Sequence, residues 1–137
     1  MKSEPLIDLI YRLKASCVAS ELDIMEESGL SPAEYNGIAA VDTNEKISGS
    51  AVSQKMNLSP SRASRVVDKM VKNGYLLREI DAGDRRKCNI SLAEKGMKVK
   101  TRIQQLKRKC EKRIEDELSE KEIDSFSDTL KKLINII

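Results

Sequence analysis

ISGSAVSQKMNLSPSRASRVVDKMVKNGYLLREIDAGDRRKCNISLAEKG, residues 47–96, carries the pattern that decides the fold. Residues 48–57 have the length of a short helix. Leu58-Ser59-Pro60-Ser61 then reads as a turn. Ser59 can accept from an orphan backbone N–H as N-cap, and Pro60 suits the first helical position. A helix is expected from there to Asn73, with Gly74 ending it. Leu76–Ile80 and Lys87–Leu92 follow as strands. In the second, Cys88, Ile90 and Leu92 alternate with Lys87, Asn89 and Ser91, a period of two. Asp81-Ala82-Gly83-Asp84-Arg85 joins them, and Gly83 permits a tight reversal. Ser91-Leu92-Ala93-Glu94 has the form of a capping box opening a long helix to about Leu118.

Two short helices, a tight turn and a hairpin predict a winged helix-turn-helix. The chain as a whole is expected to be mainly α, with a two-stranded β wing and additional helices at both ends. On a helical wheel of residues 61–72, Ala63, Val66, Val67 and Met70 fall within one arc that can pack on the preceding helix. Ser61, Arg65 and Lys72 lie nearly opposite, flanked by Arg62 and Lys69. Such a face suits the major groove, where Arg forks to guanine and Ser contacts phosphates or bases. Asp68 points the same way, and its carboxylate would repel DNA unless it braces Arg65 or Arg62. The hairpin tip places Arg85, Arg86 and Lys87 in succession where the chain turns back, within reach of a neighbouring minor groove.

Outward from this centre, Leu6, Ile10, Leu13 and Cys17 recur at helical spacing over residues 5–28, and Gly29 stops that helix. Ser31-Pro32-Ala33-Glu34 is a capping box for a short helix to about Val41, and Asp42–Glu45 is a loop. On the C-terminal side the long helix carries Val99, Ile103, Leu106, Cys110 and Ile114. Ser119-Glu120-Lys121-Glu122 is a further capping box before Ile123, Phe126, Leu130, Leu133, Ile134 and Ile137. A winged domain of about 65 residues would leave these stripes uncovered. Pairing Leu6, Ile10, Leu13, Ile123, Phe126, Leu130, Leu133 and Ile134 between two copies buries them and sets two recognition helices one DNA turn, roughly 34 Å, apart.

Charge is distributed to match. Residues 1–46 hold 4 basic and 9 acidic side chains, a net of −5; residues 47–110 hold 16 and 5, a net of +11; residues 111–137 hold 5 and 8, a net of −3. The basic middle suggests a polyanion-facing segment between acidic ends. Over residues 98–113 the same cations equally suit a solvated helix face.

The run over residues 47–96 resembles the MarR family of bacterial and archaeal transcription regulators. The "DRR" of DAGDRRKCNISLAEKG matches that family's wing motif, Asp-x-Arg followed by a strand and a Lys-Gly helix start. The resemblance extends over nearly the whole chain and implies one MarR-like domain, residues 1–137. Within it, residues 31–96 would be the DNA-binding core and residues 1–30 and 97–137 the dimerisation helices. It assigns recognition-helix contacts to Ser61, Arg62, Ser64 and Arg65, with Lys69 beside them. In the wing Arg86 would be the minor-groove arginine and Asp84 its brace, with Arg85 and Lys87 adjacent. One departure is Ala93, where the family often has a Thr cap; Ser91 is the available substitute. The family also implies a homodimer and, in many members, a small-molecule effector bound between the dimerisation helices and the winged domain.

Other functions find little footing. The chain has no histidine, which removes His-based acid–base catalysis and Cys/His zinc sites. There is no Gly-rich phosphate loop, and no enzyme, cofactor or metal is expected. Cys17, Cys88 and Cys110 are widely spaced, so no disulfide framework is implied. Their places on apolar stripes and the inward side of a strand suggest buried, inert packing. The expected setting is the cytoplasm, with no signal peptide and no membrane partner. With only Tyr11, Tyr35, Tyr75 and Phe126 as aromatics, the core must be aliphatic. The leading expectation is a sequence-specific regulator of double-stranded DNA, a repressor acting as a homodimer on a pseudo-palindromic operator. The alternative is a winged-helix interaction module whose basic face docks an acidic partner protein.

Overall fold

The chain, seen in a computed structural model that describes residues 3–84 and 87–137, begins with helix α1, Leu6–Ser28. Its C-cap is Gly29 at φ 68°, a left-handed backbone that a Cβ would strain. Helix α2, Pro32–Ala40, starts on the expected capping box: Ser31 Oγ accepts from Glu34 N and Glu34 Oε1 from Ser31 N. After a short loop come strand β1, Ile47–Ser48, and helix α3, Gly49–Met56. Helix α4, Pro60–Lys72, follows, capped by Ser59 Oγ on Arg62 N. Gly74, at φ 83°, turns the chain out of α4. Strands β2, Leu76–Ile80, and β3, Cys88–Leu92, form the hairpin. Helix α5, Glu94–Glu117, and helix α6, Glu120–Ile136, close the chain.

The wing is larger than expected. β1 adds antiparallel to β3, Ile47 opposite Ile90, making a three-stranded sheet in the order β1-β3-β2. The hairpin register sets Arg78 opposite Ile90 and Leu76 opposite Leu92. Two residues carry no periodicity of their own, so β1 exists only through its pairing with β3.

The capping box read at Ser91 does not form. Ser91 stays in β3, opposite Leu77, and α5 opens two residues later. Ala93 is the N-cap: its carbonyl accepts from Met97 N, and its own N–H donates to Tyr75 O. Strand pairing outweighs a local side-chain cap here, and Glu94 becomes the first residue of the helix rather than the third. Gly83 lies in the bend between β2 and β3 without a positive φ. The turn is organised by Asp81, whose Oδ1 accepts from Gly83 N and whose N–H donates to Lys87 O.

Residues 1–103 form one compact unit and residues 104–137 another. In the first, α2, α3 and α4 pack around Ile38, Val41, Val52, Val67 and Met70, joined by Leu76 and Ile90 from the sheet and Ile103 from the first half of α5. Each full burial stabilises by about 1.5–3 kcal/mol over exposure. Tyr35, also buried in this core, has its phenol pushed up to about 12, by burial first and by the nearby Glu21 charge second. Gly96 lets α5 approach the α4–β2 joint, because a Cβ there would sit 2.1 Å from Tyr75 O.

Lys100 is buried too, at 3% exposure. Its ammonium donates to Ala39 O at 2.7 Å and lies 3.6 Å from Asp42 Oδ1, while Lys55 Nζ donates to Ala40 O at 3.0 Å. Two cations thus meet the carbonyl end of α2, which has no glycine cap. In the second unit the end of α5 continues into α6, started by a full capping box of Ser119 and Glu122. No residue of α6 is buried. Among the described residues no helix is long and apolar enough to cross a membrane, and no cluster of three or more His, Cys, Asp or Glu could hold a metal ion.

Candidate nucleic-acid interface

Helix α4 takes its orientation from one apolar arc. Ala63, Val67 and Met70 are buried and Val66 is half-buried, which fixes which residues look outward. Ser61, Arg62, Ser64, Arg65, Lys69 and Lys72 are all exposed. The helix N-terminus leaves one donor open: Pro60 has no N–H, Ser59 satisfies that of Arg62, and Ser61 N has no acceptor among the described residues. An open N–H at the positive end of a helix can receive a phosphate. A groove of about 400 Å³ lined by Ala33, Leu58, Arg62, Arg65 and Val66 opens beside this end.

The side chains on this face differ in their commitments. Arg62, Arg65 and Lys72 make no ion pair among the described residues, so their charge is available. Lys69 lies 3.7 Å from the buried carboxylate of Glu34, yet its side chain remains 65% exposed. Asp68 pairs with neither Arg62 nor Arg65. Its Oδ1 accepts from Arg78 Nη1 on β2, so the brace runs from the helix to the wing. No local pattern announces that pair, because the two residues are ten apart on different elements.

A second groove, of about 220 Å³, lies between α4 and the sheet and is lined by Ser50, Pro60, Ser64, Arg78 and Cys88 among others. At the wing, Lys87 is exposed and its N–H donates to Asp84 O. Arg85 and Arg86 lie outside the described residues, and with them the expected Asp84–Arg86 brace. Lys46 and Glu79 close the far side of the sheet with an ion pair at 2.8 Å.

The residues assigned to self-association are accessible in the single chain. Leu6, Leu13, Phe126 and Ile134 are exposed, and Ile10, Ile123, Leu130 and Leu133 are half-buried. Cys17 and Cys110 are exposed rather than buried, because among the described residues nothing covers the stripe on which each lies; Cys88 is half-buried.

The helical pair α3–α4 with its cationic outer face, followed by a hairpin, defines a winged helix-turn-helix protein. Residues 28–87 match the model of the MarR family. Among its relatives, the HTH-type transcriptional regulator SarZ of Staphylococcus epidermidis is 25% identical over 97 residues, 71% of this chain and 66% of that protein. The matched stretch therefore spans just under two thirds of the relative's length. The HTH-type transcriptional repressor MdtR of Bacillus subtilis is 25% identical over 75 residues, 55% of this chain and 48% of its own. The fold agrees with FabT of Streptococcus pneumoniae, solved in complex with DNA, at a TM-score of 0.81 and 20% identity over 93% of this chain and 91% of that one.

Proposed function

We propose that this chain is a sequence-specific DNA-binding transcriptional regulator that represses as a homodimer on a pseudo-palindromic operator. Residues 31–96 form the DNA-reading core, and residues 1–30 and 97–137 the dimerisation helices. The observation that carries the reading is the outer face of α4, where Arg62 and Arg65 stand exposed and unpaired beside Ser61 and Ser64. Arg65 and Arg62 read base edges, the serines and the open Ser61 N–H hold phosphate, and Lys69 and Lys87 add charge at the margins. Arg85 and Arg86 extend the contact from the wing.

The uncovered apolar side chains of α1 and α6 support self-association, since a stable chain does not leave such stripes in water. The name of MdtR supports repression, and that of FabT, solved with DNA, supports the nucleic acid as partner. Release by a small effector belongs to the same reading and rests on the family resemblance.

Fluorescence-anisotropy titration against the DNA upstream of the chain's own gene and a scrambled duplex, at two salt concentrations, tests the proposal. A preference of about 100-fold that persists at the higher salt supports a specific regulator. Equal binding that collapses with salt reports only the basic face and favours a docking role toward an acidic protein.

A further inference from the structure

The first turn of α2 sets a carboxylate against the DNA-facing helix. Glu34 completes the capping box, its Oε1 accepting from Ser31 N at 3.1 Å, and its side chain is only 7% exposed. The same Oε1 lies 3.7 Å from Lys69 Nζ on α4. Ala33, one residue earlier, lines the groove that also holds Arg62 and Arg65, so this turn of α2 adjoins the cationic face. The cap itself needs no charge. A glutamine at the third helical position reaches back to the N-cap N–H just as a glutamate does. What the carboxylate adds over an amide is a negative charge, beside a helix whose other outward residues are mostly cationic.

Lys69 is where that charge acts. It follows Arg65 by four residues and so stands on the same side of α4, with its side chain 65% exposed. Its ammonium has two competing acceptors, the Glu34 carboxylate in the free chain and a phosphate in a complex. A pair between two exposed side chains would be worth little. Burial of one partner changes the balance, because drawing Lys69 away leaves a carboxylate inside the protein without its counter-charge. Every phosphate contact made by Lys69 is therefore opposed by a penalty at Glu34.

We propose that Glu34 is an attenuator of DNA affinity. It holds the Lys69 ammonium toward α2 and away from the phosphate backbone, so the chain grips duplex DNA less tightly than its basic face alone would. The inference rests on the DNA-binding function proposed above and adds a residue that sets its strength. Phosphate contacts carry no sequence information. The attenuation must then act on operator and unrelated duplex alike, and leave base discrimination by Arg62 and Arg65 as it is.

Glu34→Gln in the full chain tests this, since the amide keeps the cap and loses the charge; urea unfolding verifies the fold. Anisotropy titrations use the upstream duplex and its scramble over roughly 50–200 mM salt. At the low-salt end the variant should bind both duplexes about threefold more tightly than the parent. Its plot of log affinity on log salt should steepen by about 0.9, the value for one further phosphate neutralised. Lys69→Gln should weaken the Glu34→Gln chain by more than it weakens the parent. Equal affinity and slope in Glu34→Gln and parent, losses that merely add, or a tightening confined to one duplex overturn the attenuation and leave DNA binding standing. Should Glu34→Gln fail to fold, Lys69→Gln in the parent still decides. A slope reduced by well under about 0.9 is expected, and a full reduction shows Lys69 meeting phosphate unhindered, which overturns the proposal. A parent that binds neither duplex overturns the DNA-binding reading itself.

Discussion

Replacing Gly96 by alanine would ordinarily help a helix, by up to about 1 kcal/mol. Here the sign should reverse. A Cβ at position 96 would sit 2.1 Å from Tyr75 O, 3.1 Å from Tyr75 C and 3.4 Å from Leu92 Cδ2. Clearing the carbonyl oxygen demands a shift of roughly 1 Å. Tyr75 cannot give way freely: its N–H donates to Met70 O at 2.9 Å, its carbonyl accepts from Ala93 N at 3.0 Å, and its hydroxyl donates to Ser28 O at 3.1 Å. Breaking one backbone hydrogen bond costs about 1 kcal/mol, and overpacking adds about 1–3 kcal/mol. After the propensity gain, a net loss of about 2 kcal/mol remains, or about 5–10 °C in Tm for a chain of this size. Thermal and urea unfolding by circular dichroism, at matched protein concentration, measure it. Gly37→Ala is the control, because a Cβ there meets Met56 Cε at an ordinary 3.6 Å and the same exchange in α2 should be neutral or stabilising. A Gly96→Ala chain as stable as its parent would refute the close approach of α5 to the α4–β2 joint.

Arg65→Ala should cost on the order of 1–3 kcal/mol of DNA affinity and relax base preference at one position, read by anisotropy against a panel of single-base operator variants. A uniform loss across the panel would reassign Arg65 to phosphate. Ser59→Ala removes the side chain that caps Arg62 N and should destabilise the chain by about 1 kcal/mol in urea unfolding, with Ser59→Asp recovering most of it. Tyr35 has a folded-state pKa near 12, above its unfolded value of 10.0. The stability tied to its neutral phenol is fully present below pH 10 and is lost as pH rises toward 12. Unfolding of parent and Tyr35→Phe should therefore diverge only in that alkaline window, and parallel curves throughout would show that Tyr35 does not carry the difference.

Features encoded by neighbouring residues were the legible ones. Ser31, Ser59 and Ser119 cap the helices they precede, and Gly29 and Gly74 end theirs, because each device acts within a few residues of itself. The alternation in β3 and the apolar arc of α4 survived for the same reason, and with them the exposure of Ser61, Arg62, Ser64 and Arg65. Features set by distant partners were not legible. β1 needs β3 more than forty residues on, and Ser91 satisfies a capping pattern in sequence while its backbone is held in a strand. Lys100 sits in a polar run yet is buried, because the carbonyl end of α2 and Asp42 receive its ammonium. Cys17 and Cys110 show the converse: an apolar stripe predicts burial only when something covers it, and both thiols are exposed.

The placement of Asp68 ties the electrostatics of the site together. A carboxylate on the outer face of a DNA-reading helix opposes the phosphate backbone, and sequence alone suggests that a neighbouring arginine on the same helix must silence it. Had Arg62 or Arg65 done so, the outer face of α4 would have lost an unpaired guanidinium to an internal pair. The structure draws the counter-charge from β2 instead, through Arg78. Glu34, behind the helix, takes up the marginal Lys69, and Lys46 and Glu79 settle each other across the sheet. Each acid near the face is thus balanced by a cation that the reading surface can spare, and Arg62, Arg65 and Lys72 keep their charge for solvent or ligand. The Asp68–Arg78 pair does a second thing at the same time. It links helix α4 to the strand that leads to the wing tip. One ion pair thus both neutralises Asp68 and joins α4 to β2, so an acid on this face need not cost the helix any of its unpaired cations.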